Sequence, residues 1–253
     1  RGDMDKNRVV AICRQAEAAD FDYAWFFDTH VLWRDLYPQM AVAMEHTSKL
    51  RFGPCVTNPQ VREWSVAGSL FGALAVQSDG RFDIGVGRGD SSVRVVGKRP
   101  ATVTRMEQFC ETMKGLVRGD PVTYDDRPEP VTFDWTGGYE LPLWVAGYGP
   151  KALAAAGRQG DGLIVQLAGP ALCQWMGDAA KTAGTEAGRD MKDYRVMACA
   201  PVWVGDKETG VAQTKWFPAL VGNHIADILK WYGSDTREVP EALTAYVQQR
   251  KGS

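Results

Sequence analysis

The sequence predicts an α/β fold built on a parallel sheet, and three observations carry that prediction. Short apolar runs alternate along the chain with stretches of helical spacing. The connections between them are short. Polar and glycine-rich residues gather just after several of the apolar runs, at Asp28 to His30, Thr57 to Asn58, Gly87 to Asp90 and Gly147 to Gly149. In a parallel barrel such segments form the C-terminal loops, where active sites sit. Seven or eight strand–helix units would close a (β/α)8 barrel; a doubly wound open sheet is the competing arrangement.

The stretch from Leu141 to Leu167, LPLWVAGYGPKALAAAGRQGDGLIVQL, organises the rest. Leu143 to Ala146 is an apolar run opened by Pro142, as suits a strand buried on both faces. Gly147, Tyr148 and Gly149 break it, and Pro150 is placed as a first helical residue, where its missing N–H costs nothing. An alanine-rich helix follows to Arg158, Gly160 to Gly162 stops it, and Leu163 to Leu167 is a second strand. A strand–helix–strand unit makes its strands parallel. Its glycine turn presents backbone N–H groups at a helix N-terminus, a natural seat for a phosphate, with Lys151 beside it. The competing reading is a tight strand-to-helix turn and nothing more.

The other elements follow in order. Arg8 to Ala19 has helical spacing. Phe21 to Phe27 is an aromatic-rich strand, with Trp25, Phe26 and Phe27 expected in the core. Met40 to Ser48 is a helix, Leu50 to Val56 a strand, Ser65 to Gln77 a helix rich in small residues, and Phe82 to Val86 a strand. Thr102 to Val117 is a helix. Tyr124 to Trp135 has the pattern of a polar hairpin turning at Asp125–Asp126. After the central unit come a helix from Ala171 to Ala183, a strand from Tyr194 to Val204, and one or two helices over Thr209 to Tyr232 with a break at Pro218. Glu238 to Ser253 is expected to be helical and then polar. No repeat, linker or compositional shift divides residues 1–253, so a single domain is expected.

Composition narrows the function. The chain has 253 residues and a net charge of −2 without a long basic run, which disfavours nucleic acid. No stretch approaches the roughly 20 apolar residues of a membrane span, and no membrane partner is expected. Five scattered cysteines, Cys13, Cys55, Cys110, Cys173 and Cys199, suit reduced thiols in a cytoplasmic protein. The three histidines, His30, His46 and His224, lack ligand spacing, so no metal site is expected.

Three motifs in order carry a resemblance: FGPCVTNPQVREW (Phe52 to Trp64), DGRFDIGVGRGDS (Asp79 to Ser91) and WVAGYGPKALAAAGRQGDGLI (Trp144 to Ile164). Together they resemble the luciferase-like flavin-dependent oxidoreductase superfamily, closest to its coenzyme F420 branch, which includes methylenetetrahydromethanopterin reductase. The resemblance runs over nearly the whole chain. It implies a (β/α)8 barrel that binds F420, or alternatively FMN, at the C-terminal strand ends and transfers a hydride at the ring to or from a small-molecule substrate. It also implies a homodimer, for which the small-residue helix offers a close-packing face. Members begin with a strand ahead of the helix near Arg8 and continue past the point where this chain stops, so terminal strands are expected to be missing from the sequence. An FMN-dependent monooxygenase using O2, and a non-catalytic flavin-binding protein of the same fold, are the alternatives.

Candidate site residues follow from these motifs. Asp28 and His30 form a polar pair facing ring or substrate, with His30 able to exchange a proton near neutral pH; the plainer role is a capping loop. The resemblance implies a cis peptide at Cys55–Val56 beneath the ring, with Thr57 and Asn58 bonding its pyrimidine side. Cys55 itself is a small buried filler, since no base adjoins its thiol. Glu63 stands where relatives often carry histidine, and is either an acid–base group or a helix-start residue favoured by the dipole. Gly87 allows close backbone approach, and Arg88 pairs with an anionic tail or with a surface carboxylate. Arg94, Lys98 and Arg99 are a basic cluster for that tail, or a solvated face. Gly147, Tyr148, Gly149, Pro150, Lys151 and Gln166 complete the cofactor set. Trp33, Tyr37, Trp64 and Tyr148 are the aromatics placed to line a pocket. His46 and His224 fall in helical patterns and are given no chemistry.

Overall fold

The computed structural model describes residues 4–232, so the expected helical tail over Glu238 to Ser253 lies outside the described residues. The chain divides into two compact units after Ala146, and each is taken by itself.

The first unit holds four strands, β1 (Tyr23–Phe26), β2 (Arg51–Pro54), β3 (Ile84–Val86) and β4 (Leu143–Ala146), and five helices, α1 (Lys6–Ala18), α2 (Leu36–Glu45), α3 (Trp64–Gln77), α4 (Asp90–Arg94) and α5 (Val103–Arg118). The strands run parallel. Tyr23 pairs with Arg51 and Phe26 with Pro54; Ile84 pairs with Leu143 and Val86 with Val145. Bridges at Phe52–Phe82 and Thr57–Val86 join β2 to β3. Short side chains accept from the first-turn amides of four helices: Asp5 for α1, Asp35 for α2, Glu63 for α3 and Thr102 for α5. The core is aromatic and sulfur-rich, with Phe52, Phe71, Phe82, Phe109, Met40 and Met44 fully buried.

At the N-terminal strand ends a buried acid locks three strands together. The Asp83 carboxylate accepts from Arg51 Nε at 2.9 Å and from Trp144 Nε1 at 3.0 Å. Burial pushes the Asp83 pKa up, and the Arg51 charge opposes that shift. On the N-terminal face of such a sheet a pair of this kind serves stability.

Several expectations change. β1 stops at Phe26, and Phe27 is exposed rather than in the core. The hairpin over Tyr124 to Trp135 reduces to one antiparallel bridge between Val122 and Val131. Its turn is where expected, with Asp125 and Asp126 at φ 55° and 53°, but Tyr124 leaves the ladder to stack on Trp64. Trp64, expected to line a pocket, is buried between Phe109 and Tyr124. The small residues of α3 are used within the chain. A Cβ on Gly68 would meet Leu116 at 2.6 Å, and one on Gly72 would meet Thr136 at 2.8 Å.

The second unit holds β5 (Gly162–Val165) and β6 (Arg195–Ala198), which pair in parallel. Its helices are α6 (Pro150–Gln159), α7 (Pro170–Glu186), α8 (Lys207–Thr214) and α9 (Trp216–Tyr232). β6 is shorter than the expected Tyr194 to Val204, and Val202 and Val204 lie exposed beyond it. The break between α8 and α9 falls at Lys215 rather than Pro218. Pro218 is the third residue of α9, where the amide it lacks would have no helical partner.

Helices α6 and α7 touch backbone to backbone. A Cβ on Gly157 would lie 2.0 Å from the Ala180 carbonyl oxygen and 2.8 Å from the Gly184 nitrogen. We predict that Gly157→Ala lowers stability by about 1–3 kcal/mol, as overpacking does, seen as a fall in the urea midpoint. An unchanged midpoint would show that the helices can separate at no cost.

Candidate functional site

The C-terminal ends of β1 and β2 carry a buried polar network. Asp28, 3% exposed, directs Oδ2 at two donors: Arg62 Nη1 at 2.8 Å and the Tyr37 hydroxyl at 3.1 Å. The Arg62 guanidinium lies 4.7 Å from the centre of the Tyr37 ring and also reaches Asp35 at 3.3 Å. Burial raises the Tyr37 pKa well above its ordinary value, and the neighbouring Asp28 charge raises it further. Tyr37 is therefore a permanent donor, and Arg62 balances a carboxylate that would be costly to bury alone. His30 is apart from this network: it sits exposed in the turn that Thr29 closes by accepting from Leu32 and Trp33.

Beyond β2 the Cys55–Val56 peptide is cis. The chain then rejoins β3, with the Thr57 amide donating to the Gly85 carbonyl at 2.8 Å and the Gly87 amide to the Thr57 carbonyl at 2.9 Å. Gly87 leaves room for a side chain of this segment, since a Cβ there would meet Val56 Cγ2 at 2.8 Å. Asn58 is buried and turned inward. Its Nδ2 donates to Ser92 Oγ at 2.8 Å, and its Oδ1 accepts from the Gln60 amide at 3.0 Å. Gly89, at φ 91°, starts α4 over that amide group. Arg88 Nε donates to the Ala101 carbonyl at 2.5 Å and so closes the 88–101 loop. Arg94 pairs with Asp90 on the exposed face of α4.

Glu63 is the N-cap of α3. Its Oε2 accepts from the Ser65 and Val66 amides at 2.8 and 3.1 Å, and its Oε1 from the Tyr124 hydroxyl and Arg127 at 2.6 and 2.7 Å. Burial works to raise its pKa, but these donors and the Ser65 hydroxyl outweigh burial and hold it at about 2.

In the second unit the Gly147–Gly149 turn leads into α6 with Pro150 at N1 and no side-chain cap. Gly149 has φ −83°, an ordinary value; a Cβ there would meet the Trp231 ring at 3.1 Å. Lys151 is exposed. Tyr148 points at β5, its hydroxyl accepting from the Gln166 amide at 2.9 Å, while its ring stacks on His224 at 4.1 Å and 17°. His224 Nε2 lies 3.0 Å from Gln166 Oε1. The structure thus gathers Tyr148, Gln166 and His224. Sequence reading missed His224 and Arg62: the first lies in an unremarkable helical pattern, and the second adjoins Glu63, which drew attention as the acid.

Each unit by itself is α/β with parallel strands, and its candidate ligand-binding residues lie at the C-terminal strand ends: buried polar residues in the first unit, a glycine turn and an uncapped helix start in the second. The chain belongs to the luciferase-like monooxygenase family, whose pattern matches residues 2–248. It is 27% identical over 218 residues to 5,10-methylenetetrahydromethanopterin reductase of Methanolobus tindarius, covering 82% of this chain and 64% of that protein. It therefore spans just under two thirds of that relative. The fold matches coenzyme F420 dependent tetrahydromethanopterin reductase from Methanopyrus kandleri with TM-score 0.78 at 22% identity, over 93% of this chain and 74% of that one. It matches an F420-dependent secondary alcohol dehydrogenase in complex with an F420-acetone adduct with TM-score 0.70 at 20% identity, over 97% and 78%. The fold is the barrel type expected from the sequence.

The network and the cap predict different costs. Arg62→Met strands the buried Asp28 charge and should cost about 3–5 kcal/mol. Glu63→Ala should cost about 0.5–2 kcal/mol, the range for a lost N-cap. Because the folded Glu63 pKa is depressed, its contribution is full above about pH 4.5 and fades as pH falls toward 2. Denaturant midpoints of the wild type and Glu63→Ala should converge over that window; a constant gap would contradict the assignment.

Proposed function

We propose that this chain is part of an oxidoreductase that binds coenzyme F420 non-covalently and passes a hydride between its ring and a small organic substrate. The observation that carries this reading is the fold shared at TM-score 0.78 with an F420-dependent reductase, inside a family that matches almost the whole chain. The cofactor supplies the hydride chemistry when bound; the protein supplies binding and orientation.

The residues present fit a phosphate-bearing cofactor. α6 begins without a side-chain cap, so the Lys151 and Ala152 amides and the helix dipole are available to an anion. A Cβ on Gly147 would meet Ala152 at 2.6 Å, so the turn is tight by construction. α7 starts in the same way, at Gly169 and Pro170 without a side-chain cap, and is the internal control for this assignment. In the first unit Cys55, Val56, Thr57 and Asn58, with Gly87 and Arg88, are proposed to line the ring, although the Asn58 amide group and the Cys55, Thr57 and Gly87 N–H groups already have partners within the chain. Asp28 holds the Tyr37 and Arg62 donors in place, and His30, exposed in the next turn, is proposed as the acid–base group. Glu63 takes no proton role in this reading, since its carboxyl is ionised at any physiological pH.

An FMN-dependent monooxygenase is the second reading, favoured by the family's own description. The resemblance also supports a homodimer, although the α3 face once assigned to it is covered within the chain. Among the described residues no disulfide joins the cysteines, which supports a cytoplasmic setting. No described helix is long and apolar enough to cross a membrane.

Titration of F420 and of FMN, read by ring fluorescence, tests the reading. F420 should bind more tightly than FMN, and Gly149→Val should weaken it at least tenfold, about 1.4 kcal/mol, while Gly169→Val changes little. Absence of F420 binding by the wild type, or equal binding of its dephosphorylated form, would overturn the assignment.

A further inference from the structure

A glutamine side chain is nearly symmetric in shape. What it offers a ligand depends on which end of its carboxamide is held elsewhere. Gln166 stands just past the end of β5. Its Oε1 lies 3.0 Å from His224 Nε2, and among the described residues its side-chain NH2 has no partner. His224 is itself fixed by its stack on Tyr148, at 4.1 Å between ring centres. Tyr148 is fixed in turn by accepting from the Gln166 backbone amide at 2.9 Å. The three residues close a loop from the glycine turn through β5 to α9. Two rings and one carboxamide hold one another in register.

We infer that His224 is a positioning residue that selects the face of Gln166 presented to the ligand. With Nε2 protonated, the imidazole donates to Oε1 and leaves the carboxamide NH2 as the outward group. Gln166 then recognises a hydrogen-bond acceptor, a ring carbonyl or a phosphate oxygen of the cofactor, and repels nothing that carries negative charge. In the opposite tautomer Nε2 would accept from the NH2, turn Oε1 outward and reverse the preference. Protonation of Nδ1 leaves the Nε2 donor in place, so the selection holds whether the ring is neutral or charged. This inference rests on the proposal that the cofactor lies at these strand ends.

Two measurements test it. The first needs no cofactor. The chain has three histidines, so their ring nitrogens can be assigned by 15N NMR. The wild type should show His224 protonated at Nε2, and Gln166→Leu should loosen that preference. A wild-type His224 with bare Nε2 overturns the inference. The second is F420 affinity. His224→Phe keeps an aromatic ring against Tyr148 but removes the donor, and should raise the Kd about tenfold. His224→Gln, which restores an N–H, should recover part of the loss. His224→Phe should add nothing further in a Gln166→Leu background. An unchanged Kd in His224→Phe, or additive losses in the double variant, overturns the inference, provided thermal melts show both variants folded; if His224→Phe does not fold, His224→Leu takes its place. The deazaflavin chromophore without its phosphate tail separates the two acceptors: a tenfold loss there assigns the ring carbonyl, and a loss confined to F420 assigns the phosphate. If the wild type binds no F420, the proposed cofactor falls, and the inference is decided by the tautomer alone.

Discussion

Parallel pairing constrains everything else in this chain. A parallel pair cannot be closed by a hairpin, so each strand must be followed by a crossover, and here helices fill the crossovers. Helices then cover the strand faces, which must be apolar: β3 and β5 are buried along their whole length. Polar groups that must be held in fixed positions are left with the strand ends. The first unit uses both ends, and the same residue pair at each. Arg51 and Asp83 meet at the N-terminal end, Arg62 and Asp28 at the C-terminal end.

The two pairs differ in their company. Asp83 is satisfied by side chains of the strands themselves, arginine from β2 and tryptophan from β4, and such a closed set resists change. Asp28 is held by residues from a loop and the first turn of α2, Arg62 and Tyr37. A network made of loop residues leaves its surroundings free to vary, which is how barrel folds separate stability at one face from chemistry at the other.

The strands and helices were legible because their pattern is local. β4 runs from Leu143 to Ala146, as its apolar run and flanking Pro142 and Gly147 indicate, and α6 opens at Pro150 for the reason its sequence states. What was not legible depends on distant residues. Gly87, taken as an opening for a ligand, makes room for Val56, and Gly68 and Gly157, of which no such reading was made, make room for Leu116 and the α7 backbone. Asn58 was placed against the ring by its motif, and its amide is bound to Ser92, which stands 34 residues away in sequence. Glu63 was read as either an acid–base group or a helix-start residue; it caps α3, and what the sequence did not show is the tyrosine and arginine more than 60 residues on that bind it. His224 meets Gln166 across 58 residues, with no spacing to announce it.

The central claim is that a cofactor occupies the C-terminal strand ends. Hydrogen–deuterium exchange of the protein alone and saturated with F420 tests it most directly, because a bound cofactor would cover and steady the turns that carry the candidate residues. The account predicts slowed exchange at residues 55–58, 87–91, 147–152 and 166, and no change around Arg51, Asp83 and Trp144. Protection centred on those last three residues, or none at the glycine turn, would contradict it.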